Sequence, residues 1–255
     1  MAQTKLILTA GLGALLALCT ACSSSKVAEK SPVESGGDGK GTAPPAATAK
    51  QADQALVRFV NGTSEKKDVA FGDVTPFDGV GSHDVTAYKQ LPAERHDFKL
   101  LSNDDKTNAL ATNSEGLTAG KHYTLLAYTE KDGKEKLDPV TDDLTPPSAG
   151  MAKVRIINLA PAMKDVDLYA GGSKEALISG AGLASPTDYK EVSPSEASLA
   201  VRNSMSKRNS VPVADETLKA GKLYTILVFE DKHGKVKVKT IEDEFTAAPQ
   251  GTNPS

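Results

Sequence analysis

Between residues 55 and 247 the chain is written in short apolar, β-branched and aromatic runs: LVRFV at 56–60, HDFKLLS at 96–102, HYTLLAYT at 122–129 and KVKVKTI at 235–241. Gly, Asn, Asp and Pro clusters bound each run and none sustains a helical period, so the pattern predicts strands. EKDGKEK at 130–136 and EDKHGKVK at 230–237 place a glycine-containing turn after a central strand, which predicts two hairpins. In the last run Val236 and Val238 alternate with Lys235, Lys237 and Lys239. That alternation predicts one buried face and a sheet edge guarded by charge.

The runs occur twice. LTAGKHYTLLAY at 117–128 returns as LKAGKLYTILVF at 218–229, and TAYKQL at 86–91 as TDYKEV at 187–192, both at an offset of 101. LVRFVN at 56–61 returns as KVRIIN at 153–158, and KDV at 67–69 as KDV at 164–166, at an offset of 97. The second copy therefore carries four inserted residues. So long a period marks a duplicated domain and not a solenoid, whose units run to about 20–50 residues. The expected organisation is two homologous domains, 55–147 and 151–247, with a tail at 248–255. Their joint is TPPSAG at 145–150, whose two prolines should restrict the angle between them. About seven short strands per domain point to an all-β fold, two tandem immunoglobulin-like or related β-sandwiches.

Within the duplicated phrase, Leu117 and Leu218 each stand six residues before a tyrosine, Tyr123 and Tyr224. The spacing resembles the tyrosine corner of sandwich domains, in which a tyrosine near the start of a core strand bonds back to the preceding bend. Gly120 and Gly221 let that bend turn tightly. On this reading the phrase is scaffold.

The wider pattern is V-R-x-x-N on the first strand, D-V on the second, a mid-domain Y-K and then L-x-A-G-x-x-Y-T. It resembles the bacterial domain-of-unknown-function family 4397, whose members occur in tandem on exported proteins and lipoproteins. A more distant similarity is to the periplasmic accessory protein of alginate O-acetylation, which also pairs two small β domains. Neither resemblance implies a catalytic residue.

The first 54 residues read differently. An apolar run from Leu6 to Leu18 follows one basic residue and ends in C-T-A-C. It is too short to span a bilayer, which takes about 20 apolar residues, and has the length of a signal-peptide core. The ending resembles the lipobox of bacterial lipoproteins, with Ala21 before the acceptor Cys22, although Cys19 stands where the family usually has leucine. The expectation is a signal peptide over 1–21 and diacylation of Cys22, giving a membrane anchor in the cell envelope, at the outer membrane in a Gram-negative host. The chain has two cysteines, both at this boundary, so the mature domains have no thiol for a disulfide. Residues 22–54 are rich in Ser, Gly, Ala, Pro and Lys and almost without large apolar side chains, the composition of a disordered tether spanning about 30 Å.

Candidate chemistry is sparse. GSHD at 81–84 lines up Ser82, His83 and Asp84, but consecutive side chains do not converge as a nucleophile, base and orienter must, and His83 is expected to decorate a loop. No histidine pair has metal-ligand spacing, and no metal, cofactor or catalytic residue is expected. Thirty basic against thirty-three acidic residues give a net charge of −3 without a basic stripe, which disfavours nucleic acid as a partner. The two copies differ in charge at one loop. NDDKTN at 103–108 stands opposite SMSKRN at 204–209, setting Asp104 and Asp105 against a basic pair, Lys207 and Arg208. This loop is the candidate recognition element. The functional expectation is a non-enzymatic, lipid-anchored envelope module that binds a protein or matrix partner, the alternative being an accessory subunit of a polysaccharide-modifying or export complex.

Overall fold

A computed structural model describes residues 53–194, 198–206, 210–213 and 218–244. The described residues form strands and turns, with no α-helix among them. In the first repeat β1 (Gln54–Asn61), β4 (Lys89–Pro92), β7 (His122–Thr129) and β8 (Glu135–Asp142) make one sheet in the order β4-β1-β7-β8. β2 (Lys67–Phe71), β3 (Val74–Val80), β5 (Arg95–Ser102) and β6 (Ala109–Gly116) make a second in the order β3-β2-β5-β6. The second repeat builds the same pair of sheets. β9 (Ala152–Asn158), β12 (Lys190–Val192), β15 (Leu223–Glu230) and β16 (Val236–Asp243) give the order β12-β9-β15-β16. β10 (Asp165–Ala170), β11 (Ile178–Gly182), β13 (Leu199–Asn203) and β14 (Val211–Pro212) give β11-β10-β13-β14.

Each repeat is a sandwich with its own core. Val57, Phe59, Leu125 and Ala127 meet Val69, Phe98 and Leu100 in the first, and Val154, Ile156, Ile226 and Val228 meet Val166, Leu168 and Val201 in the second. These are alternate residues of β1, β7, β9 and β15, pointing to one face as strand geometry requires. The opposite face of the same four strands is buried as well. Val60, Leu126 and Tyr128 of repeat 1 join Ile157, Leu159, Leu227 and Phe229 of repeat 2 in a third apolar cluster. The order of layers is therefore outer sheet, inner sheet, inner sheet, outer sheet, and both repeats belong to one compact unit. Burial on two faces explains why YTLLAY and YTILVF are near-continuous apolar runs while β5 alternates exposed and buried residues.

This arrangement bears on the joint. The segment 145–150 is tied down at both ends: Lys153 Nζ donates to Thr145 O at 2.9 Å and Ser148 N–H to Glu191 Oε1 at 2.8 Å. The angle between the repeats is decided by the face-to-face packing of two sheets, a larger constraint than the two prolines credited with it.

The strand pairing also corrects one match between the copies. Lys67 lies opposite Ser102, and Val166 lies opposite Asn203, the counterpart of Ser102. The partner of Lys67 is thus Val166, and Asp68 pairs off with Asp167, so the KDV identity at an offset of 97 is a coincidence of sequence. The four inserted residues fall as two between β9 and β10 and two between β10 and β11. Both loops sit at sheet ends, where extra residues cost little closure entropy. Lys67 is 1% exposed and pairs with Glu135 at 2.9 Å, whereas Val166 fills the same place with an apolar side chain.

The two hairpins form as the turn residues predict. Gly133 and Gly234 adopt φ of 85° and 74°, and Glu130 and Asp231 accept the closing bonds from Gly133 and Gly234 N–H at 3.0 and 2.8 Å. β16 is a sheet edge, with Lys237 and Lys239 exposed and Val236 and Val238 half-buried.

Candidate functional site

The densest polar constellation among the described residues lies in the seam between the inner sheets. Arg58 and Arg155 occupy the same position on β1 and β9, outward from each sandwich core, and are 3% and 2% exposed. Arg58 Nε donates to Thr124 Oγ1 at 2.9 Å within its own repeat, and its Nη2 lies 2.7 Å from Asp243 Oδ1 of the other repeat, off hydrogen-bond alignment. Arg155 repeats the arrangement with Thr225 at 2.8 Å and reaches Asp142 Oδ1 of repeat 1 at 2.5 Å. Thr124 and Thr225 donate in turn to Asp142 and Asp243 at 2.6 and 2.7 Å. Tyr88 and Tyr189 donate to the same carboxylates at 2.7 and 2.8 Å and lie under the guanidinium planes at 4.8 and 4.7 Å.

The contacts are reciprocal, each repeat offering its arginine to the other's aspartate, which is the isologous pattern of a twofold interface written within one chain. Its electrostatics follow from burial. Desolvation opposes the charge on Arg58, but the carboxylates of Asp243 and Asp142 overcome it and raise its pKa. Desolvation likewise pushes Asp142 up, and the Arg155 and Arg58 guanidiniums outweigh it and hold the carboxyl below the usual range. Burial and the adjacent carboxylate push the Tyr88 phenol far above its usual value, and burial does the same for Tyr189 despite the nearby arginine. The neutral Tyr88 phenol, the locked Arg155 guanidinium and the Asp142 carboxylate, bonded at both oxygens, have no proton poised for transfer near neutrality. The arrangement clasps two sheets together.

Two clefts flank the clasp at equivalent places. One, of about 420 Å³, is lined by Arg58, Thr86, Tyr88, Lys239 and Glu242; the other, of about 220 Å³, by Asp143, Lys153, Arg155, Thr187 and Tyr189. At the rim of the seam, His83 does more than decorate a loop. Its ring stacks on Phe229 of repeat 2 with centroids 4.7 Å apart, and its backbone sits at φ 61°. Ala184, its counterpart, has φ 51°, so both repeats bend this loop the same way. Burial lowers the His83 pKa, and Lys239 adds to that, against the opposing pull of Glu230 O, Asp231 and Asp84.

The residues singled out from sequence lie elsewhere. Tyr123 and Tyr224 hydroxyls accept hydrogen bonds from Thr118 N–H and Lys219 N–H at 3.0 and 3.1 Å, and Gly120 and Gly221 turn the bend at φ 75° and 82°. Asp104 is exposed, and Asp105 ties its own turn by accepting from Thr107 and Asn108, bonds that hold its carboxyl below the usual range. The neighbouring Lys106 folds back onto Asp68 and Asp78, so the loop is less of an open acidic patch than its letters imply. Lys207, Arg208 and Cys22 lie outside the described residues. Arg58, Arg155, Asp142 and Asp243 were missed, although a signal existed: each is a charge kept at the same place in both copies, the arginines within largely apolar strands and the aspartates at the ends of β8 and β16.

The asparagine that closes the V-R-x-x-N motif is structural too. Asn61 Nδ2 donates to Glu65 O, Val80 O and Gly81 O, and Asn158 Nδ2 to Met163 O and Ala181 O, so each ties two loops to the end of its strand.

The family model described as a domain of unknown function, DUF4397, matches residues 55–169. Over that stretch the chain is similar to the DUF4397 family. That match takes in all of repeat 1, the joint and the first two strands of repeat 2, and with them Arg58, Thr124, Asp142 and Arg155 of the clasp. No curated protein matches the chain. Among solved structures, the crystal structure of a "putative cell adhesion protein" from Bacteroides uniformis ATCC 8492 shares 13% identity and covers 76% of this chain and 99% of that chain, at a TM-score of 0.24. A score that low establishes no common arrangement.

Proposed function

We propose that the protein is a non-catalytic envelope module, lipid-anchored through Cys22, that presents a block of two DUF4397-type repeats and binds a protein or matrix partner through its outer surfaces. The single observation that carries this reading is the clasp. The strongest constellation of buried ionisable groups, which would otherwise be the first place to look for catalysis, is used up in joining the repeats. Recognition is then left to the outer sheets and loops, which display charged and polar side chains such as Arg95, Asp97 and Lys99 on β5. The family resemblance to exported tandem proteins and the lipobox-like C-T-A-C support an envelope location.

The test is crosslinking in native membranes with the intact protein, beside Cys22→Ala. The expected result is partner recovery and detergent-phase partitioning with the wild-type chain, and loss of membrane association with the variant. Mature Cys22→Ala protein that stays in the detergent phase would overturn the anchor, and a recovered fraction that turns over a small-molecule substrate without a second protein would overturn the non-catalytic assignment.

A further inference from the structure

We infer that the inner-sheet face of each repeat is a heterotypic docking surface: repeat 1 accepts repeat 2 and each rejects its own kind, with the pairs Gly62/Leu159 and Asp84/Lys239 deciding. The clasp alone does not make that choice. Arginine, threonine, aspartate and tyrosine are present in both copies, so a 1:1 or a 2:2 pairing would form the same ionic contacts. Discrimination has to come from positions where the copies differ at the seam.

The first such position is steric. Gly62 and Leu159 are counterparts, each donating its N–H to the inner strand beside it, to Ala127 O and Val228 O at 2.7 Å. The Leu159 side chain, 1% exposed, lies over Gly62, where even a Cβ would come within 2.9 Å of Leu159 Cδ1 and 3.1 Å of Leu159 Cβ. Two repeat-2 faces would bring two such leucines to one place, and overpacking of that kind is destabilising. Two repeat-1 faces would set glycine against glycine and leave a leucine-sized void.

The second position is electrostatic and independent of the first. Lys239 of repeat 2 donates to His83 O of repeat 1 at 3.3 Å and lies 3.5 Å from Asp84. The counterpart of Lys239 is Asp138, and the counterpart of Asp84 is Ser185. In a 1:1 pairing Asp138 would face Asp84, two like charges. In a 2:2 pairing Lys239 would face a serine. An exposed pair of this kind adds little stability, yet juxtaposed like charges select strongly against a wrong partner.

The experiment uses the full chain with a protease site placed in the exposed segment 145–150 and cut after folding. The halves should stay together at the mass of the intact chain, and native mass spectrometry during prolonged incubation should show 1:2 complexes only. Separation at micromolar concentration, or the appearance of 1:1 or 2:2 dimers, overturns the inference. In the nicked protein Lys239→Asp should weaken association about fivefold at low salt, and adding Asp84→Lys should recover it. Gly62→Ala should weaken association about tenfold, and by at least about threefold less in a Leu159→Ala background. A charge swap that recovers nothing, or a Gly62→Ala cost that is equal in both backgrounds and so belongs to the 2.6 Å approach to Ala127 O inside repeat 1, overturns the role of that pair.

Discussion

The two repeats agree where the molecule must fold and clasp, and disagree where a clasp of two unlike halves can use the difference. Arg58 and Arg155, Thr124 and Thr225, and Asp142 and Asp243 hold equivalent places. So do the corner tyrosines. Against that stand Gly62 beside Leu159, Tyr128 beside Phe229, and His83 beside Ala184. A duplicated domain starts with an interface that is symmetric by construction. Once both halves sit on one chain, each seam position needs to fit only its opposite number, so the copies are released from matching themselves.

The largest test of this comparison removes one arginine from each side. Arg155→Ala leaves Asp142 buried without its guanidinium, and loss of a buried partner costs about 3–5 kcal/mol. Arg58→Ala should cost a similar amount through Asp243. Denaturant titrations in which the two variants fall together support equivalence; one variant unfolding as the wild type does would break it.

Acid sharpens the same point. Burial raises the Asp142 pKa but Arg155 and Arg58 pull it further down, so the folded value lies below the unfolded one of about 3.9. The folded state then binds fewer protons, and the contribution is complete above about pH 4 and lost as pH falls through the folded value. Stability measured from pH 7 downward should drop below about pH 4, and Arg155→Ala should flatten that drop.

Smaller effects separate core from seam. Tyr123→Phe leaves Thr118 N–H without its acceptor and should cost about 1–3 kcal/mol, as should Tyr224→Phe through Lys219. Unchanged midpoints for both would show the corner bond to be dispensable. Tyr128→Phe gives repeat 1 the residue that repeat 2 has as Phe229 and deletes the 2.7 Å bond to Asp138, at a cost of about 0.5–1.5 kcal/mol.

The smallest effect is expected from His83→Ala, which makes the rim of repeat 1 like Ala184. Burial lowers the His83 pKa in the folded state, so its contribution is present above the unfolded value of about 6.5 and fades as pH falls below it. The wild type should lose a little stability between about pH 6.5 and 5, and the variant should not. Equal slopes would remove the histidine from the seam's pH response.

Much of the fold was legible. Strand runs and glycine turns are local signals, set by side-chain alternation and by the positive φ that Gly133 and Gly234 adopt. The clasp was harder to see because an arginine inside an apolar strand reads as an exception until its partner, 185 residues away in the case of Arg58 and Asp243, is known. The acidic letters of 103–108 misled in the opposite direction, since Asp105 and Lys106 spend their charge locally.

The sequence by itself determined that the chain repeats, that its runs are strands, and that the bend before Tyr123 and Tyr224 needs Gly120 and Gly221, because those properties depend on neighbours along the chain. Tertiary structure alone decided which counterpart Lys67 has, which face of β1 and β7 is covered, and that Leu159 lies over Gly62. The reason is physical. A strand's side chains point to two faces whatever lies beyond them, and only a second sheet brought from far along the chain settles whether a face meets water or another sheet.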